Sequence, residues 1–250
     1  MTSGTPLAPA PVCAIVINYR RPWNMAPILA ACLESGCLET ICLIDHADRE
    51  CRVREVPPGV VYLRRDNVGA GRRVSFAAES GHSLFLAIDD DVLLSPLQIR
   101  SLVERGLADP TRLHGIWGQM IGRTNGALRL SGGVRQVGRE VHILNRVYFY
   151  SRHHARTAIA FAAAAGYPGW AEIGPTDDIF LSLCGSRRPL CHDLGPIRDC
   201  PSSNDDRIAV WRQADFEQRR LEAVRRALAA AAKIVKVSER PSPARPGMGK

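Results

Sequence analysis

The chain has 250 residues, 46% of them hydrophobic and 23% charged, with 33 Lys and Arg against 25 Asp and Glu. A chain this long buries a sizeable core, and so ordinary a composition excludes a disordered or fibrous protein. No apolar run approaches the roughly 20 residues of a membrane span. The net charge of +8 points to an anionic partner, but it is unevenly placed. Residues 1–210 hold 23 Arg and 21 acids, whereas residues 211–250 hold 10 basic and 4 acidic residues, so the excess belongs to the C-terminal segment.

Residues 1–11 are Pro-rich, carry no basic export signal and read as a flexible leader. Val12–Ile17 is a continuous apolar run, expected of a strand buried on both faces. Pro22 and Trp23 open a helix that runs to about Glu34 and stops at Gly36. Strands follow at Thr40–Ile44, ending in Asp45, and at Val60–Leu63 after the Pro57-Pro58-Gly59 breaker. Residues 70–80 read as a helix and Ser83–Ile88 as another buried strand. The second half predicts a helix over Pro96–Leu107, a strand over Gly115–Ile121 and turns or a hairpin over Thr124–Arg139. A strand over Val141–Tyr150 and an Ala-rich helix over Ser151–Ala165 follow. Thr176 is placed to cap a helix to Cys184, with Asp177 and Asp178 in its first turn. A helix covers Trp211–Val237, and 238–250 reads as a disordered tail. Strands alternating with helices predict an α/β fold, a sheet flanked by helices.

The sharpest chemical signal is LFLAIDDDVLLSP. A buried strand delivers Asp89, Asp90 and Asp91 at its C-terminal end, where ligands bind in open α/β sheets. Three adjacent carboxylates suit a hard divalent cation, Mg²⁺ or Mn²⁺, bridging to phosphate oxygens. The bland alternative is an acidic loop that caps the next helix. Eight cysteines are too sparse for a disulfide scaffold, and Cys13 and Cys42 sit inside apolar runs as small hydrophobes. A cytoplasmic location is expected, with the disulfide state open.

Three segments together, AIVINYRRP at 14–22, DNVGAGRR at 66–73 with AIDDDVLLSP at 87–96, and GPTDDIFLSLC at 174–184, carry a family resemblance. Their order and spacing resemble nucleotide-sugar glycosyltransferases of the GT-A fold, in particular the exostosin-like transferases of family sixty-four, with family two as a broader relative. The resemblance implies a GT-A-like mixed sheet: a Rossmann-like nucleotide-binding half at 12–95 and an acceptor half at 96–210. A basic C-terminal helix at 211–237 completes a single domain over 12–237. It implies that Asn18, Tyr19, Arg20 and Asn67 hold the donor nucleotide and that Arg72 and Arg73 approach its diphosphate, as guanidinium forks do. Asp91 becomes the main ligand of Mn²⁺ or Mg²⁺, Asp89 a ligand or ribose contact, and Asp90 either. Asp177 and Asp178, with Asp178 preferred, become the acids facing the acceptor hydroxyl, and helix capping is their structural alternative.

The resemblance also raises His192 as a late metal ligand with Asp193 behind it, against a simply packed histidine. Cys184, Cys191, His192 and Cys200 lack the paired spacing of a zinc site. Trp170 is a candidate platform for a sugar or a core residue. On the last helix Phe216, Leu221, Val224, Leu228, Ala231 and Val235 form an apolar stripe opposite Arg219, Arg220, Arg225, Arg226 and Lys233. That basic face is either solvated or recruits an anionic acceptor or surface. The implied partners are a nucleotide-sugar donor, UDP-linked in the commonest class, and a hydroxyl acceptor: a glycan, lipid-linked sugar, small metabolite or modified nucleic acid. Two rivals stand beside this: a nucleotidyltransferase-like metal enzyme, and a non-catalytic nucleic-acid binder using the basic C-terminus.

Overall fold

The computed structural model describes residues 10–66, 69–131 and 138–238. Strands β1 (Ala10–Asn18), β2 (Leu38–Asp45), β3 (Val60–Arg64) and β4 (Leu84–Ile88) form the parallel part of an eight-stranded sheet. The chain steps outward from β1 to β2 to β3, then returns to place β4 on the other side of β1. The reversal opens a crevice at the C-terminal ends of β1 and β4, the place where such sheets take their ligands.

The rest of the sheet comes from the second half. Val147–Ser151 runs antiparallel to β4, with Val147 opposite Ile88, so its N-terminal end lies at the crevice. His114–Gly115, Leu190–Cys191 and Arg139–Glu140 extend the sheet to its far edge. The same sheet therefore runs through both halves. Alternation along β1 explains its unbroken apolarity, because each face meets helices. Val12, Ala14 and Val16 pack under α1 (Pro22–Ser35) and α3 (Pro96–Ala108), while Cys13, Ile15 and Ile17 pack under α2 (Arg72–Glu79) and α4 (Arg152–Ala164). A third cluster joins Phe161 of α4 to Ile179 and Phe180 of α5 (Asp177–Leu183) and to Ala223, Val224 and Ala227 of α6 (Phe216–Ser238). Gly36 closes α1 at φ 62°, a left-handed position where glycine costs nothing.

Several expectations need correction. β1 begins at Ala10, so the strand takes two residues assigned to the leader; 1–9 and 239–250 lie outside the described residues. The strand over Gly115–Ile121 is three short pieces, His114–Gly115, Gly118–Gln119 and Ile121–Thr124. The strand over Val141–Tyr150 splits into Ile143–Leu144 and Val147–Ser151. Ile121–Thr124 pairs with Ala127–Leu130 as a hairpin, which takes the hairpin alternative read for Thr124–Arg139 but starts it three residues earlier. Thr176 does not cap α5; its hydroxyl donates to the Ile173 carbonyl at 2.7 Å. The last helix starts at Phe216, and Trp211 sits in a preceding single turn, Val210–Arg212. All eight cysteines are free thiols. No helix among the described residues is long and apolar enough to cross a membrane.

Candidate active site

A cavity of about 670 Å³ opens at the crevice between β1 and β4. Its floor is the acidic strand end, because β4 stops at Ile88 and releases Asp89, Asp90 and Asp91 into it. Each of these carboxylates meets an arginine. Asp89 pairs with Arg73, Asp90 with Arg21 at 2.5 Å, and Asp91 with Arg146 at 3.0 Å. Asp177 and Asp178 of α5 line the same cavity, paired with Arg73 at 3.0 Å and Arg220 at 2.8 Å. Arg73 thus bridges the strand-end acids of the first half to the helix acids of the second.

The charges hold one another in place. Burial works against the Arg73 charge, yet Asp177 and Asp89 outweigh it and keep the guanidinium firmly protonated. Burial pushes the Asp89 carboxyl up to about 6, with Arg73 opposing and Asp91 adding to the rise. Asp90 is raised by burial too, against the pull of Arg21 and the Tyr19 N–H. Asp178 has both oxygens engaged: Oδ1 accepts from the Ile179 N–H and Arg220, and Oδ2 accepts from Asn145 at 2.5 Å. Asp177 uses only Oδ2, which accepts from Arg73 and from the Tyr148 hydroxyl at 3.4 Å.

The predicted residues divide into three groups. Tyr19, Arg73, Asp89, Asp90, Asp91, Asp177 and Asp178 all line the cavity. Asn18, Arg20, Arg72 and His192 do not. Asn18 is consumed in tying the loop after β1, donating to Asp45 and the Cys51 carbonyl and accepting from the Arg21 N–H. Arg20 points outward to Asp48, and Arg72 opens α2 outside the lining. His192 is packed on His114: the rings are parallel, with His114 Nδ1 and His192 Nε2 3.0 Å apart. That contact leaves His192 in the sheet and away from the acids, which corrects the metal-ligand expectation. Asn67 lies outside the described residues.

Trp170 takes the core alternative rather than that of a sugar platform, packing against the clusters around α2 and α5. Its Nε1 donates to the Gly71 carbonyl at 2.6 Å, and a Cβ on Gly71 would lie 2.4 Å from that nitrogen, so the ring braces the turn into α2. Trp117 and Trp211 line the cavity instead. Sequence reasoning gave Arg21, Asn145 and Arg146 no role and set Arg220 on the basic face of the last helix rather than in the cavity. Only antiparallel pairing with β4 brings Asn145 and Arg146 to the acids, and only the docking of α6 brings Arg220. A signal existed for the first pair: Asn145 and Arg146 immediately precede the aromatic strand VYFYS. Arg146 holds a left-handed backbone, φ 66°, while its carbonyl accepts from the Asp89 N–H and its guanidinium spans Asp91 and Asp199.

The donor set fits a hard divalent cation. Asp89 Oδ2 has no hydrogen-bond partner among the described residues, and Asp91 Oδ2 is 3.6 Å from Arg21. Mg²⁺-like ions are usually held by one or two carboxylates together with substrate phosphates. Among the described residues no group of three His, Cys, Asp or Glu side chains is arranged to hold a metal ion.

No family model matches the chain, and no curated protein matches it in sequence. Solved structures do resemble it. Glucosyl-3-phosphoglycerate synthase from Mycobacterium tuberculosis, crystallised with Mn²⁺, uridine diphosphate and phosphoglyceric acid, is 15% identical with a TM-score of 0.58. The similarity covers 86% of this chain and 78% of that one. S. aureus TarS 1–349 has a TM-score of 0.50 at 11% identity, over 90% of this chain and 73% of the other.

The fold is GT-A-like.

The GT-A-like chain also resembles CMP:2-keto-3-deoxy-manno-octonic acid synthetase in complex with CTP, with a TM-score of 0.52 at 11% identity. That similarity covers 80% of this chain and 98% of the synthetase. Identities of 11–15% carry the architecture alone. These three structures do not single out the exostosin-like family.

Proposed function

We propose that the protein is a metal-dependent glycosyltransferase that moves a sugar from a nucleotide-diphosphate sugar, in the first instance a UDP-sugar, to a hydroxyl acceptor. The observation that carries this reading is the meeting of Asp89–Asp91 with Asp177 and Asp178 in one cavity, where four buried or half-buried arginines pair with them. A neighbouring fold solved with Mn²⁺ and uridine diphosphate supports the same choice of ligands.

Asp89 and Asp91 would hold Mn²⁺ or Mg²⁺, which when bound neutralises charge on the diphosphate. Arg73 and Arg146 stand beside those acids with forked donors suited to phosphate oxygens. The acceptor hydroxyl then approaches the α5 acids. Asp177 is the better proton acceptor because its Oδ1 has no partner among the described residues, whereas both oxygens of Asp178 are occupied. The acceptor oxygen bonds to the anomeric carbon, its proton passes to Asp177, and the bond to the diphosphate breaks. Asp178, fixed by Arg220 and Asn145, positions α5 for that contact. These roles reverse the order of preference that the sequence suggests.

A panel of nucleotide sugars, screened with Mn²⁺ by thermal shift and then by turnover, tests the reading. Asp91→Ala is expected to lower turnover by at least about a hundredfold, the scale of losing one electrostatic contact in a preorganised site. An undiminished Asp91→Ala enzyme refutes the assignment. The synthetase-like neighbour favours a second reading, nucleotidyl transfer, and product analysis separates the two. A glycosyltransferase releases a nucleoside diphosphate; a nucleotidyltransferase releases pyrophosphate.

A further inference from the structure

His46 follows Asp45 directly at the C-terminal end of β2 and lines the cavity. It is 4% exposed, and neither ring nitrogen has a hydrogen-bond partner among the described residues. A buried polar group left unsatisfied costs stability, so an imidazole in that state inside a ligand cavity is poised for a ligand. The Tyr19 ring stands edge-on to it, with centroids 5.9 Å apart. Burial keeps the ring neutral by holding its pKa near 4; Asp45 pulls the other way, and Arg73 and Arg72 reinforce the fall.

The order of the sheet says which part of a donor reaches His46. Val147–Ser151 carries Tyr148, which meets Asp177 at the reacting end. Next come β4 with the diphosphate-binding acids, β1 with Tyr19, and β2 with His46. A nucleotide sugar laid along this line puts its sugar toward Asp177 and its base toward Tyr19 and His46. Asp45 cannot read the base, because Asn18, the Ala47 N–H, the Val53 N–H and the Tyr62 hydroxyl already occupy its two oxygens.

We infer that His46 is the base-reading residue of the donor site, and that its free choice of tautomer admits both uracil- and cytosine-linked donors. A carboxylate only accepts, so it selects the uracil N3–H. A neutral imidazole presents either a donor or an acceptor, and here no protein partner fixes which. The uracil N3–H finds an acceptor, and the cytosine N3 finds a donor, on the same ring. This inference rests on the nucleotide-sugar reading above and adds the base specificity that the reading leaves open.

The test is calorimetric titration of the full chain with UDP and with CDP in the presence of Mn²⁺. Wild type is expected to bind the two within about tenfold of each other, far less discrimination than a fixed polar reader gives. His46→Leu is expected to lose roughly tenfold or more on both ligands. Its melting temperature should hold, because no protein group is left without a partner. His46→Asn, which also carries a donor and an acceptor, restores binding of both. His46→Asp is expected to favour UDP over CDP by at least about tenfold. Unchanged UDP and CDP affinities in His46→Leu, or a wild-type preference above about a hundredfold, would overturn the inference while leaving the nucleotide site standing. A wild type that binds neither diphosphate overturns the nucleotide reading itself.

Discussion

Replacing Arg220 by Met asks whether α6 is fastened to the site or only rests against it. The Arg220 and Asp178 side chains are 6% and 8% exposed, and Nη1 lies 2.8 Å from Asp178 Oδ1. Nη2 also donates to Gln119 Oε1 at 2.9 Å, so the guanidinium joins three elements. Methionine fills the volume of the stem but carries no charge, leaving Asp178 buried with Asn145 and the Ile179 N–H alone. Removing one member of a buried pair costs about 3–5 kcal/mol. At about 2–4 °C per kcal/mol for a chain of this size, the melting temperature falls by roughly 6–20 °C. The double variant Arg220→Met/Asp178→Asn removes both charges and should regain more than half of that loss, since neutral replacements of buried pairs are often tolerated. Differential scanning calorimetry at neutral pH, repeated at high salt, is the assay; screening should leave the drop largely intact because the pair is out of solvent. A single variant that melts within about 2 °C of wild type would refute the fastening.

Other outcomes follow from the same geometry. Gly106→Ala puts a Cβ 2.3 Å from the ring of the fully buried Phe149, so it should cost about 1–3 kcal/mol in chemical denaturation. Gly122→Ala, with nothing within 4 Å, serves as the neutral control, and equal effects would contradict the packing of α3 on the sheet. Arg146 sits at φ 66°, so Arg146→Gly should be more stable than Arg146→Ala by about 1 kcal/mol, although both lose the guanidinium. The reverse order would mean that the backbone there is not left-handed. His114 and His192 are held below the ordinary imidazole value of 6.5 by burial, His192 near 4. Between 6.5 and 4 the unfolded chain binds protons that the folded pair refuses, so the pair's contribution is full above 6.5 and shrinks as pH falls. Asp89 and Asp90, raised by burial, act in the opposite sense. The measurement is therefore the melting-temperature difference between wild type and His114→Leu/His192→Leu, which should move against wild type on acidification; a constant difference would show that the pair does not titrate as described.

The parallel half was legible because its strands announce themselves. Val12–Ile17 and Leu84–Ile88 are apolar on every residue, a pattern that only a strand covered on both faces needs. The acidic strand end was legible too, since three carboxylates after a buried strand have few structural uses. The second half hid itself. Its strands are two to five residues long and owe their existence to pairing with distant segments, as His114–Gly115 does with Leu190–Cys191 and Val147–Ser151. Local propensity carries no record of such pairing. The same holds for the arginines: nothing local separates the inward Arg21 from the outward Arg20, because strand alternation stops at Asn18 and the loop after it sets each direction.

The basic C-terminus shows what charge counting alone leaves out. Its sequence suggests an apolar stripe through Leu221 and Leu228 with a separate cationic face for some anionic partner. The buried face instead runs through Arg220, Ala223, Val224, Ala227 and Ala230, and Leu228 is 41% exposed. Small residues let α6 approach α4 and α5 closely, and that approach delivers Arg220 to Asp178. The arginines around it are paired at home: Arg212 with Asp206, Arg219 with Asp215, and Arg225 and Arg226 with Glu222. Exposed pairs of this kind are worth little individually, yet each neutralises the face that a polyanion would need. The positive charge that the cavity uses is the buried one of Arg220. It offsets the acids of the cavity, and cutting the chain before residue 216 should strand Asp178 and impair the site, which a free-standing anion-binding tail would not do.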